Sequence, residues 1–184
     1  PKEYMVEDQR FASTRPDVMV YVTPPLSNDL TMTGPLTADL FVNPSTDDAD
    51  FVVKLIDVFP DDFSWDDKKD GKGNGKDYTM GGYQMLVRGE IMRGRYRNSF
   101  QYPEAFQPGK VSKVSFALPD AAHVFKKGHR IMVQVQSSWF PLADRNPQQF
   151  VNIYTCNASD FVKSKITIHT GGKYASNIEL PVME

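Results

Sequence analysis

The stretch RIMVQVQSSWFPLADRNPQQF, residues 130–150, holds two kinds of pattern side by side. Its first seven residues alternate: Ile131, Val133 and Val135 point one way, while Arg130, Gln134 and Gln136 point the other. That period of two is the signature of a β-strand with one face toward a core. The pattern then breaks. Trp139, Phe140, Pro141, Asp144, Arg145, Asn146 and Pro147 crowd into a place where two sandwich strands would need only a short turn.

Alternation recurs through the chain. In DVMVYVT, Val18, Val20 and Val22 share a face. In FVVKLIDVF, Phe51, Val53, Leu55 and Phe59 form one face and Val52, Ile56 and Val58 the other, which predicts a strand covered on both sides. SKITIHT turns Ile166 and Ile168 inward, and 35–43, 110–118 and 176–182 are further strand candidates. Segments rich in Pro, Gly and Asp punctuate these runs, and none carries a sustained 3.6-residue apolar stripe. The spacing predicts an all-β, mostly antiparallel β-sandwich of about eight or more strands. No linker or internal repeat divides residues 1–184, so a single domain is expected.

One segment breaks its own phase. In YQMLVRGEIMRGRYR, residues 83–97, Met85, Val87 and Ile91 are odd-numbered, but Met92 and Tyr96 continue the apolar series on even positions. A one-residue phase change sends every later side chain to the opposite face. A bulge or a sheet-to-sheet bend is therefore expected within 88–95. Arg93, Arg95 and Arg97 follow at strand spacing. Such a stripe suits a phosphate or carboxylate, but pairing with acids on a neighbouring strand or a partner domain is the plainer expectation.

The 184 residues suffice for one substantial core; by size scaling roughly 70% of the unfolded surface is buried on folding. Hydrophobic residues make up 40% and charged residues 24%, as in an ordinary globular protein. A net charge of −2 offers no global field for nucleic acid, and no apolar run reaches membrane-helix length. Cys156 is the only cysteine, which excludes an intrachain disulfide and a thiolate zinc site. A domain of this size without disulfides fits the cytoplasm or a bacterial periplasm. The first residues, PKEYMVEDQRF, lack the apolar core of a signal peptide, and the Pro1 start fits an excised fragment or a processed Met-Pro terminus.

Catalytic and ligand motifs are sparse. There is no Gly-x-Ser-x-Gly nucleophile elbow and no glycine-rich phosphate loop, so neither catalytic residues nor a cofactor are expected in this chain. His123, His129 and His169 stand at strand edges beside Lys or Thr, where solvated side chains are expected. The acidic segment 61–77 has partial calcium-loop spacing from Asp66 through Asp70 and Gly71 to Asp77. Lys68 takes a ligand position, however, and Asp77 is shorter than the closing Glu of such loops. Four lysines offset the six aspartates of that window, so a solvated hairpin loop and no metal site are expected.

Two readings remain for residues 136–150. The aromatics fold back as an end cap on the sandwich, or Trp139, Phe140 and Arg145 form a rigid patch of the composition enriched where protein surfaces bind tightly. Pro141 and Pro147 stiffen either arrangement.

GGYQMLVRGEIMRGRYRNSF, residues 81–100, followed by PEAFQPGKVSKVSFALPDAAHVFKKGHRIMVQVQSSWFPLADRNPQ, residues 103–148, resembles the C-terminal domain of the X-Pro dipeptidyl-peptidase/cocaine esterase group of serine hydrolases. Within that group it is most similar to α-amino-acid ester hydrolases and glutaryl-7-aminocephalosporanic acid acylases. The likeness runs from about Asp17 to the C-terminus. It implies a galactose-binding-like jelly-roll following an α/β-hydrolase domain and a helical cap. It also implies that the catalytic Ser, Asp and His belong to those absent parts. On this resemblance the chain is a noncatalytic C-terminal domain that packs on the hydrolase domain and shapes the substrate cleft or an oligomer. Trp139, Phe140, Asp144, Arg145 and Asn146 are then expected to face the cleft or the neighbouring domain, with Asp144 and Arg145 as a polar lock. A carbohydrate-binding module, with the aromatics as a sugar platform, is the rival from another class; an independent esterase is a third.

Overall fold

The computed structural model describes residues 7–65 and 78–183. Among these residues a short helix, α1 (Arg10–Ser13), precedes ten strands: β1 (Met19–Val22), β2 (Leu30–Pro44), β3 (Asp50–Val58), β4 (Ser64–Trp65), β5 (Tyr78–Thr79), β6 (Gln84–Arg93), β7 (Ser112–Phe125), β8 (Arg130–Gln136), β9 (Ile166–His169) and β10 (Asn177–Glu179). One antiparallel sheet runs β1-β8-β3-β6. The second runs β10-β2-β7, with β9 also paired to β2. The all-β sandwich expected from the alternation is therefore present; of the acidic segment 61–77, residues 66–77, which carry the partial calcium spacing, lie outside the described residues.

The core is the inner face of each long strand. Leu36, Ala38, Leu40 and Val42 of β2 meet Phe51, Val53 and Leu55 of β3 across the interior, and Val114, Phe116 and Leu118 of β7 complete it. Two-residue spacing in the sequence thus becomes burial at every second position. Around Pro35 and Pro119 the β2–β7 register shifts, between Gly34/Leu36. Neither proline has an N–H to donate, so the ladder cannot run through them.

The outer face of the first sheet departs from expectation. Gln134 and Gln136, read as solvent-facing, are buried, as are Val52, Lys54 and Ile56. Residues 7–18 lie across them, with Gln9, Ala12 and Val18 buried, and Gln9 N–H donates to the Gln84 carbonyl at 3.0 Å. Two-sided cover of β3 was legible in its continuous apolar run. The cover itself, a charged-looking N-terminal segment, was not.

The phase change in β6 is real but sits upstream of the expected window. Leu55 pairs with Arg88 and Ile56 with Leu86, so Val87 is the extra, bulged residue. From Arg88 to Arg93 the ladder is regular and turns Ile91 and Met92 to opposite faces. Reading Ile91 on the face of Met85 and Val87 misplaced the change, because it left Arg88 and Glu90 outward. They share the inward face with Met92, but β6 is an edge strand and its rim is open. Arg88 reaches across that rim to donate to the Asp120 carbonyl of β7 at 2.7 Å.

The arginine stripe does not exist as such, because the strand ends at Arg93 and a 3-10 turn spans Gly94–Tyr96. Arg93 faces Asp50 on the neighbouring strand at 3.5 Å, and Arg95 binds Asp48. The acid-pairing expectation holds for these two. Arg97 also meets an acid, the Glu104 carboxylate at 3.4 Å, though within its own loop, and it forks onto the carbonyls of Gly94, Glu104 and Ala105.

The histidine expectation needs correction as well. His129 is buried, and its Nδ1 lies 2.8 Å from Asp57 Oδ1, while His123 Nε2 lies 2.9 Å from Asp57 Oδ2. Phe59 and Phe63 pack on the His129 ring. One buried carboxylate of β3 thereby ties together both sheets, through β7 and the turn before β8.

Candidate functional site: the loop after β8

Gln136 ends β8, and the chain turns over the outer face of the first sheet. Trp139 is 4% exposed and lies against Gly89, whose lack of a Cβ makes the approach possible: a Cβ there would stand 2.6 Å from the indole. The Lys54 ammonium is 5.0 Å from the same ring and 5.6 Å from that of Phe11, and donates to Gln9 Oε1 at 3.0 Å. Burial, with Arg15 adding to it, pushes the Lys54 amine down to about 8. Trp139 therefore belongs to this domain's own packing and is not the exposed anchor suggested by its place in the loop.

The next residues turn outward. The Phe140–Pro141 peptide is cis, Phe140 is 63% exposed and Leu142 is 60% exposed. Ala143 N–H closes the turn on the Trp139 carbonyl at 3.0 Å. Asp144 and Arg145 are exposed but do not pair with each other. The Asp144 carbonyl accepts from Arg93, and the Arg145 guanidinium stands 5.7 Å from the Phe161 ring.

The lock on this loop is Asn146, which is buried. Its amide donates to Asp48 Oδ2 at 3.1 Å and Asp50 Oδ1 at 2.8 Å, and its carbonyl oxygen accepts from Gln148 N–H at 2.8 Å. Gln148 takes φ of +65°, the left-handed conformation that turns the chain back. Arg95 joins the cluster from below, donating to Asp48 and to the carbonyls of Gln149 and Val151. Burial pushes the Asp50 carboxyl up to about 6; Asn146 and Arg93 pull it back, and the Asp48 charge adds to the rise. Sequence reasoning named Asn146, and Arg95 as an acid-pairing arginine, but missed Asp48 and Asp50, because nothing local at the start of β3 shows that these two acids face a loop almost a hundred residues later.

The five residues expected to form one surface thus divide. Trp139 and Asn146 point inward and fix the loop; Phe140, Asp144 and Arg145 point outward. The arrangement presents apolar side chains and one guanidinium on a clamped backbone. It assembles no nucleophile and base.

The family described as the X-Pro dipeptidyl-peptidase C-terminal non-catalytic domain matches residues 3–179. The cocaine esterase of Rhodococcus sp. (strain MB1 Bresler) is 34% identical over 177 residues, which is 96% of this chain and 27% of that protein. Among solved structures, an aminopeptidase from a marine sediment Thaumarchaeota archaeon superposes with a TM-score of 0.88 at 42% identity, over 99% of this chain and 28% of its own. An α-amino acid ester hydrolase superposes with a TM-score of 0.87 at 43% identity, over 97% of this chain and 28% of its own. The chain therefore spans little more than a quarter of the proteins it resembles. It belongs to the X-Pro dipeptidyl-peptidase C-terminal non-catalytic domain family.

Proposed function

We propose that this chain is the accessory domain of a serine hydrolase acting on α-amino-acid esters or related peptide and acyl amides, and that it packs on the catalytic α/β-hydrolase and cap domains through the loop after β8. In this reading the loop walls part of the substrate cleft, and the domain also lends surface to oligomer contacts. The substrate class is carried over from relatives named cocaine esterase and α-amino acid ester hydrolase. The observation that carries the docking role is the exposure of Phe140 and Leu142 on a backbone clamped from beneath by Trp139 and Asn146. Large apolar groups held out to water on a fixed loop suit a partner surface, because little conformational entropy is lost when they dock.

The test is Phe140→Ser with Leu142→Ser in the full-length parent. Loss of an aromatic anchor from a packed interface commonly costs about 2 kcal/mol or more. We expect a lowered thermal midpoint and reduced ester hydrolysis in the parent. Unchanged hydrolysis and an unchanged midpoint would reject the docking role.

A further inference from the structure

A second surface, formed by the loop after β6, is built like a docking element. Arg97 bonds the carbonyls of Gly94, Glu104 and Ala105, and its guanidinium lies 4.1 Å from the Phe106 ring. Asn98 donates to Glu104 Oε2 at 2.7 Å, and Ser99 Oγ accepts from the N–H groups of Gln101 and Tyr102 at 3.1 Å each. At the tip of this cross-braced loop Phe100 is 83% exposed and Tyr102 is 70% exposed. Beside it an open groove of about 570 Å³ runs between the edges of the two sheets; Ile91, Met92, Phe100 and Phe116 give it an apolar floor, and Glu90, Arg93 and Arg97 put charge along it.

The strand edges bordering this groove are blunted against strand addition. Glu90 Oε1 accepts from Ile91 N–H at 2.8 Å, and Arg88 caps the Val87 carbonyl at 2.9 Å while spanning to Asp120. Charged side chains that occupy edge groups are a protein's usual defence against edge-to-edge pairing. A partner here meets side chains and a braced loop, without extending either sheet.

We infer that the 98–104 loop and its groove receive an apolar segment of the catalytic part of the same parent chain. This rests on the reading above that the chain is a hydrolase's accessory domain. The chain covers 28% of each of the two solved relatives, and the family's C-terminal description puts the larger part before it. The described chain begins at Glu7, beside the near end of β6, where the Gln9 N–H donates to the Gln84 carbonyl at 3.0 Å. The groove lies at the far end of the same ten-residue edge strand, roughly 30 Å away by strand rise. A folded body comprising most of such a protein is roughly 50 Å across, large enough to cover that edge while joined at its start.

The test uses full-length parent carrying Cys156→Ser and one introduced cysteine, with maleimide labelling read by mass spectrometry at the peptide that holds that cysteine, in native protein and in the same protein in denaturant. Gln101→Cys reports the loop and leaves Phe100 and Tyr102 in place; Asp144→Cys reports the loop after β8. We expect the thiol at 101 to react at least tenfold more slowly in the native parent, independent of protein concentration. A freely reacting thiol at 101 beside a protected one at 144 overturns this inference and leaves the docking reading standing. Free reaction at both positions rejects both. Protection at 101 that disappears on dilution identifies a second copy as the occupant, and also overturns the inference.

Discussion

Trp139 lies against Gly89, and position 89 has no room for a side chain: a Cβ there would come within 2.6 Å of the indole. The contact joins the loop after β8 to the outer face of β6, beside the Lys54 ammonium. It makes the docking loop an outgrowth of the sheet it covers.

Gly89→Ala is expected to destabilise the isolated domain by about 1–3 kcal/mol, the usual range for forcing atoms into a filled space. Trp139→Ala is expected to cost about 3 kcal/mol or more, from lost burial plus the cavity left behind. Urea unfolding of each variant measures both. A Trp139→Ala domain as stable as the parent domain would show the indole outside the packed structure.

The Asn146 lock carries a pH dependence with a definite sign. Burial raises the Asp50 carboxyl to about 6 in the folded domain, from an ordinary 3.8. The folded state therefore keeps this proton longer than the unfolded chain does. The stability from this group is complete below about pH 4, declines as pH rises toward 6, and is level above that. Asp50→Asn removes the titration. Between pH 4 and pH 7 the variant should gain on the wild type by on the order of 2 kcal/mol. Denaturant unfolding at both pH values checks this; a gap that stays constant or moves the other way refutes it.

What was legible in the sequence follows the range of the physics. Alternation is local, so β2, β3, β7 and β8 could be read from it, as could the two-sided burial of β3. The bulge at Val87 was detectable as a broken phase but misplaced, because Arg88 and Glu90 look exposed although they share the inward face at an open rim. The buried pairing of Asp48 and Asp50 with Asn146, and of Asp57 with two histidines, depends on contacts 66 to 98 residues apart in sequence. Composition at either end carries no trace of the other. The Phe100–Tyr102 surface was missed for a related reason: a braced loop and a loose one look alike until the Arg97 and Ser99 bonds are seen.

Asp57 offers a separate check on how the sheets are joined. Replacing it with Ala takes the Asp57 carboxylate from the buried His129 Nδ1, at a cost of about 1–3 kcal/mol for the orphaned polar group, plus the loss of the bond to His123. His123→Ala should cost less, since that imidazole is partly exposed and leaves Asp57 still bound to His129. Chemical denaturation should therefore rank Asp57→Ala as more damaging than His123→Ala. The reverse order would mean that the cluster does not hold the sheets as described.

The sugar-binding alternative makes its own demand on the same loop. A glycan platform needs an aromatic face open to the ligand, and the indole of Trp139 is covered. Phe140 is open, but the side chain beside it, Leu142, is aliphatic and equally exposed. In a Trp65→Phe background, which leaves Trp139 as the single indole, polysaccharides should neither shift nor quench its fluorescence. The domain should also pass unretarded through an immobilised-glycan column. Retention that is lost on Phe140→Ala would make the loop a carbohydrate site and remove the argument for an interdomain one. If instead Phe140→Ser with Leu142→Ser leaves the isolated domain's thermal midpoint within a few degrees but lowers that of the full parent, the exposed pair acts on another domain. That contrast separates the two readings, because a sugar platform gives the parent no reason to lose stability when its aromatic is removed.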